Sequence, residues 1–311
     1  MASYTVQSNI CVWDEYMSTQ SKAIPHLDGV SQLTDRVIRI LGDNPGSYRL
    51  QGTNTYLVGT GRERILIDSG EGKQLWIERI VSHLEKEGLE LAYVLLTHWH
   101  RDHTGGLADL LAYKPELGPR VYKHTPGPDQ HAIHDGQVFQ VPGATVRSVF
   151  TPGHTIDHMC FLLEEENALF TGDNVLGHGY SVEHDLFAYM ASLDKMRGLG
   201  CIIGYPGHGK EIADLSAKVD DYIRQREGRE KQVWRALVAE RKKKRNCGIG
   251  SLTIRELVGE AYGNDLSPEA IEWGVEPFVM QVLWKLAEER KVGFQLIQGV
   301  KKWFARQVIT D

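Results

Sequence analysis

The sequence predicts an α/β fold, an αββα sandwich with sheets inside and helices outside, followed by a small helical, winged-helix-like domain. Three observations predict it. Short apolar runs alternate with turn residues from about Thr34 to Gly209. Helix-periodic segments are interleaved with those runs, which is the signature of sheets covered by helices. Beyond Gly209 the chain becomes long, charged and helix-periodic. The expected division is a first domain over 1–222 and a second over 223–311.

Taken in order, "RVIRIL", "NTYLVG", "RILID", "AYVLLT", "ATVRSVF", "HMCFLL", "ALFTGD" and "CIIGYPG" read as strands, most of them bounded by Gly, Pro, Asn or Asp. "KQLWIERIVSHLEKEG", "GGLADLLAYK" and "HDLFAYMASLDKMRG" carry helical spacing. A long helix is expected from "KEIADLSAKVDD" to "ERKKKR", with Gly228 as a point of interruption. Ser251 or Thr253 is placed to cap the next helix, "SLTIRELVGEAYG". The last segment reads as a helix, two short strands and a tail. Trp234, Trp273, Phe278, Trp284, Phe294 and Trp303 in this region are expected in its core.

Composition sets the outer bounds. A chain of 311 residues with 41% hydrophobic and 24% charged content buries an ordinary globular core, which excludes wholesale disorder. The first twenty residues lack the pattern of a secretory signal, and no apolar run reaches the roughly 18 residues a membrane span needs. Cys11, Cys160, Cys201 and Cys247 lie far apart without a CxxC pair, as expected of free thiols in a reducing, cytoplasmic setting. The net charge of −6 is uneven: from Arg224 onward there are 17 Lys and Arg against 12 Asp and Glu, and before it 18 against 29.

The chemistry concentrates in "LLTHWHRDHTGG", where three histidines and an aspartate fall within six residues. His98 and His100 sit at the end of a buried strand and, two apart, point the same way, so they can share one ion. Asp102 and His103 follow on the turn, able to face a second ion. Gly105 and Gly106 let the chain turn tightly into the next helix without a Cβ in the way. Imidazole and carboxylate together suit zinc or a similar divalent metal. Further candidates stand at strand ends beside Gly or Pro: His154 in "TPGHT", Asp173 in "LFTGD" and His208 in "YPGHG". Seven such ligands fill two sites of three with one carboxylate between them. His26 and His158 are taken as bystanders, and His83, His124, His131 and His134 as structural residues.

This set closely resembles the HxHxDH pattern and the later His, Asp and His of the metallo-β-lactamase superfamily. The resemblance implies that His98, His100 and His154 bind a first metal and Asp102, His103 and His208 a second, with Asp173 bridging. Asp68 in "ILIDSG" would support the ligands from behind. Two divalent ions, zinc or alternatively manganese, lower the pKa of a water they share from about 15.7 to near 7. The implied reaction is hydrolysis, with Asp102 orienting the water and handling its proton.

A narrower resemblance runs over nearly the whole chain. "RVIRILGDNPGSYRLQGTNTYLVGTGRERILIDSGEGK", "TGDNVLGHG" and "YPGHGKEI" are similar to fungal thioesterases of this superfamily that partner aromatic polyketide synthases. That implies hydrolysis of a polyketide thioester on the acyl carrier protein of a non-reducing synthase, with release of an atrochrysone-carboxylic-acid-type product. The segment "YSVEHDL" departs from those relatives at Tyr180, Ser181, Glu183 and His184, which are expected to line the acyl pocket, and His178 just before it is expected there too. Alternatives in the same architecture are an endoribonuclease, to which "ERKKKR" would offer phosphate contacts, and a small-thioester hydrolase of the glyoxalase II kind. A metal-stabilised scaffold without activity is the non-enzyme alternative. The overall acidity argues against nucleic acid. An acyl carrier protein is the expected partner, no membrane is expected, and the C-terminal region is a candidate homodimer contact.

Overall fold

The computed structural model describes residues 24–46, 48–244, 249–263, 266, 268 and 270–306. The N-terminal segment read for a signal, Cys11, Cys247, Arg245 of the basic run and the side chain of Trp273 lie outside the described residues. The chain divides into two compact units, Ala23–Ile223 and a second running from Arg224 onward.

The first unit holds two sheets. One has seven strands in sequential order: β1 (Val30–Gln32), β2 (Val37–Leu41), β3 (Asn54–Val58), β4 (Glu63–Ile67), β5 (Glu90–Leu95), β6 (Val121–Lys123) and β7 (His131–Ala132). The second has five, ordered β12 (Ile203–Pro206), β11 (Ala168–Gly172), β10 (Met159–Leu163), β9 (Ala144–Phe150) and β8 (Val138–Val141). All eight strands expected from apolar runs are present. The sequence reading missed β1, β6, β7 and β8, which are two to four residues long and sit at or near sheet edges.

Period-two alternation builds the layers. In β2, β3 and β4, Val37, Tyr56, Val58, Ile65 and Ile67 face the second sheet and meet Phe161, Phe170 and Tyr205. Their neighbours Ile38, Ile40, Leu57 and Leu66 face outward, onto Trp76, Ile80 and Leu84 of helix α1 (Gln74–Glu87). Strands buried on both faces are apolar at consecutive positions, which is why these runs read so plainly. Each such side chain, fully buried, contributes about 1.5–3 kcal/mol.

Three further helices complete the unit's frame. Arg101–Thr104, the turn that carries Asp102 and His103, is a single helical turn, α2, and Leu107–Tyr113 forms α3. Helix α4 (Leu186–Gly198) is capped by the Asp185 side chain, which accepts from the Ala188 N–H. It is tied to the end of β9 by Ser192 Oγ, which donates to the Pro152 carbonyl at 2.6 Å.

Helix α5 runs unbroken over Leu215–Lys243, so Gly228 does not interrupt it. In the second unit, Thr253 caps α6 (Ile254–Tyr262) in a reciprocal capping box with Glu256. A π-helical turn (Ala270–Val275) leads into α7 (Glu276–Glu288), and an antiparallel hairpin of β13 (Val292–Ile297) and β14 (Val300–Ala305) follows. Helices followed by a hairpin match the expected helical, winged-helix-like order. Trp303 is fully buried, but Trp284, edge-on, and Phe294, tilted, pack against it while staying exposed, which corrects their expected place in the core. Among the described residues no helix is long and apolar enough to cross a membrane.

Candidate metal centre

The ligand-type residues stand where strands end. β5 gives way to His98 once the Thr97 N–H is taken by the Asp68 carboxylate (2.8 Å) rather than by a neighbouring strand. His154 follows β9, Asp173 follows β11 and His208 follows β12. The His208 loop is pinned by Asn54, whose Nδ2 donates to the carbonyls of Pro206 (2.9 Å) and Gly209 (2.8 Å). That role of Asn54 is not visible in the sequence, because its partners lie some 150 residues away.

Donor atoms from these loops converge in two groups. His98, His100, His154 and Asp173 each bring one ligand atom to within 4.8 Å of the others, as do Asp102, His103 and His208. Within the first, His98 Nε2 lies 2.9 Å and His154 Nε2 3.1 Å from His100 Nδ1. Asp173 reaches both groups. Its Oδ2 is 3.7 Å from His154 Nε2 and 3.4 Å from His208 Nε2, and its Oδ1 is 3.3 Å from His103 Nε2.

The outer hydrogen bonds fix which nitrogen faces inward. His154 Nδ1–H donates to the Val182 carbonyl at 2.6 Å, His103 Nδ1–H to Asp68 Oδ2 at 2.7 Å, and His208 Nδ1–H to the Gly52 carbonyl at 3.2 Å. Thr97 Oγ1 donates to Asp68 and so accepts from His98 Nδ1–H at 2.9 Å. Four imidazoles therefore turn Nε2 toward one another, an arrangement that a cation between them satisfies once His103 and His208, both held protonated by neighbouring carboxylates, give up their inner protons. His103 Nε2 and Asp173 Oδ1 are buried and, apart from their 3.3 Å approach to each other, have no polar partner that closes a well-aligned hydrogen bond, which fits the same conclusion. Asp68 holds its place with φ at +59°, a conformation costly for a residue with a Cβ.

The electrostatics agree. Burial, and then the neighbouring His154, holds His100 down at about 4, leaving it a neutral ligand. Burial alone would raise Asp102, yet the bond from His208 and the charges of His103 and His208 bring it to about 2. Burial opposes charge on His208 as well, but Asp173 and the bond to Asp102 overcome it and push that imidazole up to about 9. The half-buried Asp102 and the buried Asp173 thus demand positive charge, supplied by a proton or by a metal ion. A group raised to about 9 is protonated at neutral pH and must lose that proton to become a ligand. Zinc titrated into chelator-treated protein at pH 7.5 is therefore expected to release protons. Its affinity should rise with pH until about 9. Calorimetry in buffers of differing ionisation enthalpy reads this directly, and pH-independent uptake without proton release would contradict it.

His158, taken as a bystander, supports the centre. Its Nε2 accepts from the Asp173 N–H at 3.1 Å, and its Nδ1 lies 3.1 Å from Thr151 Oγ1. The expected pocket residues disperse. Tyr180 donates to Asp221 Oδ2 at 2.6 Å and packs on Tyr222. Ser181 Oγ lies 3.3 Å from His154 Nδ1, behind the ligand rather than before it. His178 keeps a buried Nε2 without a hydrogen-bond partner. His184 alone of these four faces the ligands, its ring 6.2 Å from that of His154 and nearly parallel to it.

The chain is similar to known proteins over most of its length. The sequence profile of the metallo-beta-lactamase superfamily matches residues 48–124. The lactamase-like protein adaB of Aspergillus niger is 58% identical over 94% of this chain and 93% of its own length. The lactamase-like protein nscB of Neosartorya fischeri is 54% identical over 96% and 92%. Among solved structures, a metallo-beta-lactamase family protein of Thermus thermophilus superimposes with a TM-score of 0.61 at 24% identity, covering 88% of this chain and all of that one. A beta-lactamase domain protein of Burkholderia ambifaria gives 0.71 at 17% identity over 91% and 96%. With ligand-type residues at the strand ends of a two-sheet sandwich, and relatives this similar over nearly their full length, the chain belongs to the metallo-β-lactamase superfamily of hydrolases.

Proposed function

We propose that this protein is a metal-dependent thioesterase that hydrolyses a polyketide thioester from the acyl carrier protein of a non-reducing polyketide synthase, releasing the free carboxylic acid. The carrying observation is a seven-residue His/Asp centre with no protein nucleophile in it. Ser181 lies behind His154, and burial pushes the Cys160 thiol up to about 12, so neither is poised to attack. His98, His100 and His154 would hold one divalent ion and Asp102, His103 and His208 another, with Asp173 between them. Zinc suits these ligands, and manganese is the alternative. Bound there, the pair supplies a water acidified toward neutral pH and an electrophile for the carbonyl oxygen.

The chain's own groups do the rest. Asp102, beside the second group of ligands, would accept a hydrogen bond from the attacking water, orient it and take up its proton. Asp68 and the Val182 carbonyl hold His103 and His154 in one tautomer, so the ligands need no rearrangement. The acyl carrier substrate rests on the likeness of "TGDNVLGHG" and "YPGHGKEI" to the fungal thioesterases. Within the basic run, Arg241 donates to the Ala305 carbonyl and Lys243 pairs with Glu260 at 3.0 Å, so the RNA-cleaving alternative gains no open phosphate-binding stripe from them.

The test is release of free acid from a carrier protein loaded with a long polyketide or surrogate acyl chain. Release is expected to stop with chelator and in His100→Ala. A carrier that stays loaded while single-stranded RNA is cut would replace this reading with the nuclease.

A further inference from the structure

Large apolar side chains stand exposed on or next to the segments that carry the ligands. Trp99 is 51% exposed, Ile156 83%, Val182 59% and Phe187 47%. Single exposed apolar residues are ordinary on any surface, whereas several grouped at one site mark a surface that meets something apolar. Three of them are joined to a ligand. Trp99 stands between His98 and His100, its ring centroid 4.4 Å from that of His100 and steeply inclined to it. Ile156 follows His154 by two residues, and the Val182 carbonyl accepts from His154 Nδ1. The loop bearing Val182 and His184 is fixed because the Gly153 carbonyl accepts from both the His184 and Asp185 N–H groups, at 2.8 and 3.1 Å. Phe187 lies in the first turn of α4, just beyond that loop.

These anchors place Trp99 beside His100, and Ile156, Val182 and His184 beside His154. The two ligand rings are themselves 4.8 Å apart. We propose that Trp99, Ile156 and Val182, with His184, select the acyl group: they form an apolar lip around the His100–His154 pair that takes a planar, extended, apolar acyl chain. This rests on the thioesterase reading and assigns its specificity. The occupant is the acyl end rather than the pantetheine arm. That arm carries amides, whose hydrogen bonds an apolar lip leaves unmet, whereas a conjugated acyl group stacks on the rings of Trp99 and His184. The lip also replaces the pocket expected around Tyr180, which is engaged with Asp221.

The experiment compares 2-naphthoyl and acetyl thioesters of N-acetylcysteamine on zinc-loaded wild type, Trp99→Ala, Ile156→Ser and Val182→Ser. Binding of 2-naphthoate to the same proteins is measured by calorimetry. Each variant is expected to lower kcat/KM for the naphthoyl thioester by roughly tenfold, mostly through KM, with the acetyl thioester changed by less than about twofold. Naphthoate binding should weaken in parallel. Equal losses on both thioesters, or no loss on the naphthoyl one, would overturn the lip while leaving the reaction standing. If no thioester is cleaved but naphthoate binding still weakens in the variants, the lip stands and the thioesterase reading falls. Ile156 and Val182 bind no metal through their side chains, so their variants guard against a Trp99→Ala effect that acts through ligand geometry.

Discussion

Asp102→Asn is expected to reduce kcat by about 10³-fold while the protein retains one tightly held metal ion. The substitution keeps shape and removes charge. Asp102 Oδ2 lies 3.2 Å from His208 Nε2 and is the carboxylate beside the second group of ligands. An amide there is a poorer metal ligand and a poorer acceptor for the attacking water. His98, His100 and His154 keep their mutual geometry and their outer hydrogen bonds, so one equivalent of metal should remain after dialysis. A second readout is independent of turnover. His208 is pushed up partly by Asp102, so its pKa should fall in the variant, and proton release on zinc uptake should shrink. Metal analysis, single-turnover rates and buffer-dependent calorimetry check the three parts. Near-wild-type turnover with two bound ions would remove Asp102 from the chemistry.

What the sequence made legible follows the strength of its periodic and local signals. Strands buried on both faces announce themselves, as "RILI" does, and so does the apolar alternation that starts "ATVRSVF". The ligand run was legible because its chemistry is local: His98 and His100 converge within 2.9 Å across two residues. Short edge strands were not. β7 is two exposed residues with no apolar pattern, although "VFQV" of β8 alternates buried and exposed and carried a usable signal. His158 was missed for a different reason. A single histidine has no spacing to read, and its role exists only because β9, β10 and β11 bring the Thr151 hydroxyl and the Asp173 N–H to its two nitrogens. Tyr180 was misplaced because proximity in sequence to Asp173 does not set direction. The loop after Asp173 turns toward Asp221 and only returns to the ligands at Val182 and His184.

Gly106→Ala is expected to destabilise the protein by about 3 kcal/mol or more and to weaken metal binding about 10- to 100-fold. The reason is space rather than backbone freedom, since φ at Gly106 is an ordinary −77°. A Cβ there would fall 2.0 Å from the Ser69 carbonyl oxygen and 2.6 Å from the Trp76 ring. Neither neighbour yields easily. Trp76 is fully buried and its Nε1 donates to Thr55 Oγ1, while Ser69 is held by bonds from its N–H and Oγ to the His103 carbonyl. Moving Ser69 drags the adjacent Asp68, whose carboxylate fixes the His103 tautomer at 2.7 Å. The strain should therefore appear twice, as a melting temperature lowered by roughly 6–12 °C and as a weaker zinc affinity. Activity should return in part at excess zinc, because the ligands themselves remain. Gly118→Ala is the matched control: nothing lies within 4 Å of its added Cβ, and its effect should stay within about 0.5 kcal/mol. A Gly106→Ala protein that melts and binds zinc like the wild type would mean that the Ser69 carbonyl does not pack against the glycine, and that the Asp68–His103 contact is not set by that turn.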